Sequence, residues 1–506
     1  CVVCPGLPPV TDGQEVAVDG ERGLVILDPP PSLAAYYALE ARERAPESGG
    51  SPAATAEGLR IALHANIMSG PEAAHAFRAG AEGIGLFRSE MLFLDRPEPP
   101  GEEEQYQVYR EVLEAAGGRP MVLRLLDVGG DKPLPYLPLP PEANPFLGRR
   151  GVRWYGLHPE LVETQLRAAC RAAAHGDLRL MIPMVAEVEE IRLVRAMAAR
   201  IQPRVPPIGI MVEVPAAALN LAALAREADF LCVGTNDLVQ YLFAADRGDA
   251  AVSRAALDWH PATLRILARI AEDAGRSGSP LSLCGEMAGK APLLPLLVGL
   301  GFRSLSMAPA LLPSVRRTLS FLDAARCRDL TERALAAGTA DEVEAILGEG
   351  ARTQASGELT EVGLVVAGVP CASKEMAIKL LAERLAARGR ARAPLALEEA
   401  VWAREEAYAT GVGFGFAVPH CKAATVETPS LAILRLAEPV EWGSLDGLPV
   451  DFILLLATGD RDGGQEHLRI FARLARKLMD ETFRTELRQA ADPQAILDAL
   501  RTHVTL

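Results

Sequence analysis

Residues Gly413 to Lys422 read GFGFAVPHCK and set one histidine, His420, behind two glycines and a proline. A neutral imidazole is nucleophilic near pH 7 and leaves readily once loaded, so a histidine beside glycine backbone can take up a group and pass it on. Pro419 stiffens its approach. A second set of reactive groups lies earlier in the chain. It holds the cations Arg88, Arg124, Arg150 and Arg247, the carboxylates Asp127, Asp131, Glu213, Asp237 and Glu286, the amide Asn236 and the thiol Cys284. Planar guanidinium groups pair well with carboxylates and phosphates. Two hard carboxylates, Glu213 and Asp237, can hold one Mg²⁺ and leave positions open for substrate oxygens and water. A thiol with an ordinary pKa of about 8.5 can supply a proton near neutral pH if its surroundings keep it protonated. Each residue also has a plainer reading taken alone. An arginine at a strand end forms a salt bridge, a cysteine between Leu283 and Gly285 fills a core, Glu213 and Asp237 each pair with an arginine, and His420 sits in a turn.

The elements needed to hold these residues can be read from the alternation of short apolar runs with longer amphipathic stretches. Between residues 59 and 309 the runs are LRIALHANI, EGIGLFRSE, MVLRLLDVGG, LRLMIPMV, PPIGIMVEVP, ADFLCVGTNDL, PLSLCGEMA and FRSLSMAP. Eight strands alternating with helices over about 250 residues predict a closed (β/α)8 TIM barrel. In such barrels functional side chains gather at the C-terminal ends of the strands. Arg88 follows EGIGLF, Asp127 and Asp131 follow VLRLL, Glu213 follows GIMV, Asn236 and Asp237 follow LCVGT, and Cys284 and Glu286 follow LSL, so the pattern points to a site at one rim. After a further helical stretch and the small, polar ARTQASGE comes a segment mixing helix-like KEMAIKLLAERLAARG and QEHLRIFARLARKLMD with strand-like SLAILRL and VDFILLLAT. It predicts a separate compact α/β domain.

Composition bounds the function. The chain has 506 residues, 49% of them hydrophobic, enough for several domains with buried cores. A net charge of −14, without long runs of one sign, argues against nucleic acid or an anionic membrane as the main partner, so acidic substrates must be met by local arginines. The apolar APLLPLLVGLGF is broken by proline and glycine and reads as core. Eight cysteines, mostly isolated inside apolar segments and with Cys1 and Cys4 as a chance C-x-x-C, form no disulfide framework, and a reducing cytoplasm is expected. The chain opens on cysteine, in alternating apolar residues and D-G turns that read as the last strands of a β-rich domain, so an N-terminal part is expected to be missing.

The motifs GIGLFRSEMLFLDR, LRLLDVGGDKPLPYL, NPFLGRRGVR, GIMVEVPAA, GTNDLVQYLFAADR and LCGEMAG resemble, in order, those of enzyme I of the bacterial phosphoenolpyruvate-dependent sugar phosphotransferase system. The resemblance implies a phosphoenolpyruvate-protein phosphotransferase. Arg88, Arg124, Arg150, Asn236, Asp237 and Arg247 would bind phosphoenolpyruvate, Glu213 and Asp237 would bind Mg²⁺, and Cys284 would protonate the enolate to pyruvate. The family first passes the phosphoryl group to a T-S-H histidine on a swivelling domain. No T-S-H occurs among His64, His75, His158, His175, His260, His420, His467 and His503. Residues 1–32 are similar to the tail of that domain, so this chain is expected to lack the first acceptor.

AREEAYATGVGFGFAVPHCK resembles the active segment of the fructose/mannitol type of enzyme IIA, the next phosphocarrier class in that pathway. That implies His420 as phosphoryl acceptor on its tele nitrogen, with Arg404 and His467 stabilising the phosphoryl group. His64 is expected near the barrel rim as a spectator. The expected domains are 1–32, the swivelling-domain remnant; 33–56, linker helix and loop; 57–350, the barrel; 351–358, linker; and 359–506, the enzyme IIA-like domain. The combination resembles the multiphosphoryl transfer proteins. It implies a histidine-containing phosphocarrier protein and an enzyme IIB component as partners, a barrel-mediated homodimer, and a fructose-type sugar pathway. Fusion of donor and acceptor modules raises their effective concentration. Two other readings remain: a pyruvate phosphate dikinase or phosphoenolpyruvate synthase, which shares the barrel but couples to a nucleotide-binding domain, and a regulatory module that reports phosphorylation state.

Overall fold

The structure, a computed structural model, describes residues 10–19, 24–28, 52–129, 134–137, 142–201, 205–247, 249, 252, 257–352, 359–369, 371, 373–407, 409–444, 446–459, 473–474 and 476–503. The chain divides into two units, Arg44–Ile346 and a second made of Cys1–Glu43 with Leu347–Leu506.

The first unit is the barrel that the alternation predicts. Its strands are β3 (Ala62–Ile67), β4 (Ile84–Arg88), β5 (Met121–Arg124), β6 (Leu178–Ile182), β7 (Ile208–Val212), β8 (Leu231–Val233), β9 (Leu281–Leu283) and β10 (Ser304–Met307). All eight expected runs supply a strand, and they close in the order β10-β3-β4-β5-β6-β7-β8-β9, every neighbouring pair parallel. The strands read as apolar runs because helices cover the outside and side chains fill the inside; β7, for example, is buried along its whole length. The covering helices follow ordinary start and stop rules. Pro261–Ser277 begins with His260 as N-cap, its Nδ1 accepting the Ala262 N–H at 3.1 Å, and ends at Gly278 in the left-handed region. Its Leu264, Leu267, Ile270 and Ala274 form the buried stripe.

Barrel closure puts every strand's C-terminal end at one rim. The residues after β4, β5, β7, β8 and β9, which lie up to about 200 positions apart in sequence, therefore surround one mouth. Among the described residues, no helix is long and apolar enough to cross a membrane.

The second unit contains the antiparallel pair β1 (Val16–Asp19) and β2 (Leu24–Leu27). Its main sheet is built from β11 (Val365–Val369), β12 (Gly411–Gly413), β13 (Phe416–Ala417), β14 (His420–Lys422), β15 (Ser430–Val440) and β16 (Val450–Thr458). The order is β11-β15-β16-β13-β12, with β14 also paired to β16. Both faces are covered. Phe416, Leu431, Ile433, Phe452 and Leu454 join one core with Phe483, Leu487 and Ile496, while Ala432, Leu434, Ile453 and Leu455 join the other with Ile378, Leu381, Leu397 and Val401. This period-two sorting to two buried faces explains the unbroken apolar runs of β15 and β16.

Two expectations are corrected. The helix Ala340–Arg352 continues into the stretch read as a linker. His420, whose plainer reading was a turn residue, is half-buried and opens β14, in register with Leu456 of β16. The strand pairing could not be read from a segment of three residues because its hydrogen-bond partners lie on distant β16. Most of the predicted helix QEHLRIFARLARKLMD lies outside the described residues.

Candidate functional site

At the barrel mouth the charged groups form one connected network. Arg150, only 1% exposed, lies between two buried carboxylates. Its Nε and one terminal nitrogen donate to Asp127 at 3.0 and 2.9 Å, and its terminal nitrogens donate to Asp237 at 3.0 and 2.9 Å and to the Tyr241 hydroxyl at 3.3 Å. All five guanidinium N–H donors are thereby engaged, so any substrate contact by Arg150 must displace one of these bonds. Arg124, at the end of β5, donates to Glu90 at 2.6 Å and lies 3.4 Å from Asp127, while its buried Nε has no partner. Arg88 ends β4 in register with Arg124 and makes no hydrogen bond or ion pair among the described residues. Arg247 is half-exposed and approaches Asp237 at 3.8 Å. Asn236 accepts the Glu286 N–H at 3.0 Å and donates to the Glu286 carboxylate at 3.3 Å, joining the loops after β8 and β9. Asp131 lies outside the described residues.

Local sequence explains these placements. Gly234 ends β8, and the helix Thr235–Phe243 starts at once, placing Asp237 in the first turn, where the helix dipole favours a carboxylate. Gly285 is required by close approach, since a Cβ there would lie 1.8 Å from Thr235 Oγ1. Gly129, at φ +102°, lets the chain turn away from Asp127 against the carbonyl of Arg149.

Glu213 follows β7 and is 1% exposed. One oxygen accepts the Met184 N–H at 2.7 Å, and the other is within 3.0 Å of the space beside Gly234. Burial, then repulsion from Asp237 and Asp127, pushes its pKa up to about 8. At Asp237 burial works in the same direction, but the hydrogen bonds and charge of Arg150, with Arg247, outweigh it and hold the carboxyl low. Two hard carboxylates that are buried and repel one another at the rim suit a divalent cation, which would relieve that repulsion. Among the described residues no cluster of three or more His, Cys, Asp or Glu could hold a metal, so a cation here would rely on substrate oxygens and water for its other positions.

Cys284, just beyond β9, is 2% exposed, and its Sγ lies 3.6 Å from the Val233 carbonyl. Its backbone carbonyl accepts from Asn66 Nδ2 at 2.9 Å, and Asn66 is held by the Ser306 hydroxyl at 2.6 Å. A hydrogen bond with Cys232, then burial, pushes the thiol pKa well up, so it is protonated at neutral pH. Asn66, Glu90, Thr235 and Cys232 were not singled out in the sequence. Glu90 and Thr235 stand inside quoted motifs without an assigned role, and Asn66 and Cys232 carry no spacing signal. His64, expected at the rim, lies within β3 paired with Ser306, because the strand runs on to Ile67.

In the second unit the imidazole of His420 is held at both nitrogens. Nδ1 lies 3.0 Å from the Val418 carbonyl, which can only accept, so Nδ1 carries the proton. Nε2 then holds the lone pair and accepts the Arg404 Nε–H at 3.0 Å. Arg404 comes from the helix Pro394–Ala407, sixteen residues upstream of His420. Burial, assisted by Arg404, lowers the ring's pKa against the opposing effects of Val418 and Glu405. The ring is a neutral imidazole with a tele nitrogen facing a cation. His467 lies outside the described residues.

Comparison with known proteins agrees with this division. Residues 42–324 match the family of PEP-utilising enzymes through their PEP-binding domain, and residues 358–503 match the phosphoenolpyruvate-dependent sugar phosphotransferase system EIIA 2 family. The chain is 40% identical to multiphosphoryl transfer protein 2 of Escherichia coli K12 over 509 aligned residues, covering 97% of this chain and 61% of that protein. It is 38% identical to multiphosphoryl transfer protein 1 of the same strain with the same coverage. A phosphoenolpyruvate-protein phosphotransferase of Haloferax volcanii is 44% identical over 67% of this chain and 62% of its own length. The chain thus spans about three fifths of the length of these relatives.

Proposed function

Since the chain belongs to the family of PEP-utilising enzymes and carries an EIIA domain of the sugar phosphotransferase system, we propose that it takes part in a phosphoryl relay from phosphoenolpyruvate to a protein histidine. The observation that carries this reading is the convergence of Arg88, Arg124, Arg150, Glu213, Asp237 and Cys284 at one barrel rim, in a chain that also holds His420 with a tele nitrogen bearing a lone pair.

Phosphoenolpyruvate presents a phosphate and a carboxylate. Arg88, Arg124 and Arg247 offer cationic donors to these groups, Asn236 contacts the phosphate, and Arg150 chiefly holds Asp237 in place. Glu213 and Asp237 would hold Mg²⁺. When bound, that ion neutralises charge on the phosphoryl and enolate oxygens. As the phosphoryl group departs to its acceptor, the pyruvate enolate remains and needs a proton on its methylene carbon. The Cys284 S–H bond breaks as that C–H bond forms, and the thiolate regains a proton from solvent.

The first acceptor is a histidine of a swivelling domain, whose tail residues 1–32 would represent, and a histidine-containing phosphocarrier protein carries the group to His420. The EIIA unit would then serve an enzyme IIB component of a fructose-type sugar system in the cytoplasm, with the barrel unit dimerising.

The protonation step can be tested on this chain alone, since its reverse needs no protein acceptor. With Mg²⁺ and pyruvate in D2O, methyl proton exchange followed by NMR is expected to slow by about 10²- to 10⁴-fold in Cys284→Ala. Exchange unchanged by the substitution would remove Cys284 from the chemistry. At His420 the lowered pKa has a definite sign. The ring stays neutral as pH falls through its ordinary value of 6.5, so label transfer to His420 is expected to persist there and decline only at lower pH. An NMR titration of the ring checks this, and a midpoint at or above 6.5 contradicts it.

A further inference from the structure

Glu405 follows Arg404 on the helix Pro394–Ala407, and its carboxylate is buried, with a side chain 2% exposed. An unpaired carboxylate there would be costly, and this one is fully engaged. Lys374 Nζ approaches it at 2.6 Å, the Thr410 N–H donates to its two oxygens at 3.0 and 3.2 Å, and the Thr410 hydroxyl donates to it as well. The Thr410 hydroxyl in turn accepts the indole N–H of Trp442 at 3.2 Å, and Lys374 also donates to the Trp442 carbonyl at 3.1 Å.

The connections continue to His420. The Thr410 carbonyl accepts the Val418 N–H at 2.9 Å, and the Val418 carbonyl accepts the Nδ1–H of His420 at 3.0 Å. On the other side, Arg404 donates to Nε2 from the residue next to Glu405. One carboxylate therefore ties together the helix that carries the Nε2 partner and the segment that carries the Nδ1 partner. We propose that the Lys374–Glu405 ion pair, with its carboxylate buried and its ammonium partly exposed, is the positioning element of the His420 site, fixing the tautomer and aim of the imidazole through Thr410 and Val418. This rests on the reading of His420 as phosphoryl acceptor.

The chemistry accounts for a carboxylate at this place. Glu405 takes donors from Lys374, the Thr410 N–H and the Thr410 hydroxyl, whereas a glutamine offers one accepting oxygen and turns an N–H2 group toward these donors. A well-packed apolar residue could stabilise such a buried spot equally well, so the ion pair is explained better by orientation than by stability.

The test uses the full chain with Glu405→Gln and, as a milder change that keeps the Thr410 backbone N–H, Thr410→Val. Each is given a phosphorylated histidine phosphocarrier protein as donor, label arriving at His420 is timed, and the imidazole tautomer is read from ¹⁵N NMR shifts. Glu405→Gln is expected to slow labelling by about 10²-fold, the cost of a misplaced reacting group, and to lower the fraction of Nδ1–H tautomer. Thr410→Val should move both readouts in the same direction by less. Folded Glu405→Gln protein with the native tautomer and native labelling rate overturns the proposal. The NMR arm decides the matter even if native His420 takes no label. In that case a tautomer that depends on Glu405 upholds the positioning role while the acceptor reading fails.

Discussion

Replacing His420 with glutamine is expected to abolish acid-labile phosphoryl label on the EIIA unit, a loss of at least about 10³-fold relative to the native chain, as when a catalytic nucleophile is removed outright. Glutamine can still hydrogen-bond to Arg404 and the Val418 carbonyl, so the fold should survive, but its amide nitrogen has no lone pair able to take a phosphoryl group. The measurement is label at the peptide containing residue 420, with a phosphorylated histidine phosphocarrier protein as donor. Undiminished label in His420→Gln would mean that another residue is the acceptor. A second arm tests the relay. Phosphoenolpyruvate alone, without any carrier, should leave His420 unlabelled in this chain, and direct labelling from phosphoenolpyruvate would contradict the proposed intermediaries.

Arg150→Leu is expected to destabilise the barrel by about 3–5 kcal/mol, the usual cost of removing one partner from a buried charge pair. The effect belongs at the high end because the guanidinium serves Asp127 and Asp237 together, and Glu213 is already repelled by both. Leucine would leave these carboxylates facing one another with Arg124 as their nearest buried cation. Urea unfolding should show the barrel transition shifted to lower denaturant while the EIIA transition stays in place, since Arg150 lies in the barrel unit. Adding Asp127→Asn should recover part of the loss, because it removes one of the unpaired charges. An unchanged barrel transition in Arg150→Leu would show that solvent or Arg124 already compensates these carboxylates, and the network drawn at the rim would then be wrong.

The sequence by itself determined the barrel, because helices on the outside and packing on the inside force each strand to be an apolar run, and eight such runs between amphipathic stretches allow little else. It also placed Glu213, Asp237 and Cys284 at strand ends, since in a parallel barrel the position after the last apolar residue is the rim. His420 in GFGFAVPHCK and Arg404 sixteen residues before it were legible through the resemblance of AREEAYATGVGFGFAVPHCK to the enzyme IIA active segment, and not through periodicity. What the sequence left open was which group holds which. Arg124 meets Glu90 rather than open solvent, Arg150 spends its donors on two aspartates, and Asn66 reaches the Cys284 backbone from 218 residues away. The proton on Nδ1 of His420 and the carboxylate behind Thr410 were also invisible. The physical reason is that periodicity and motif spacing report which face or rim a residue occupies, whereas partner, burial and protonation follow from distances between segments that only folding brings together.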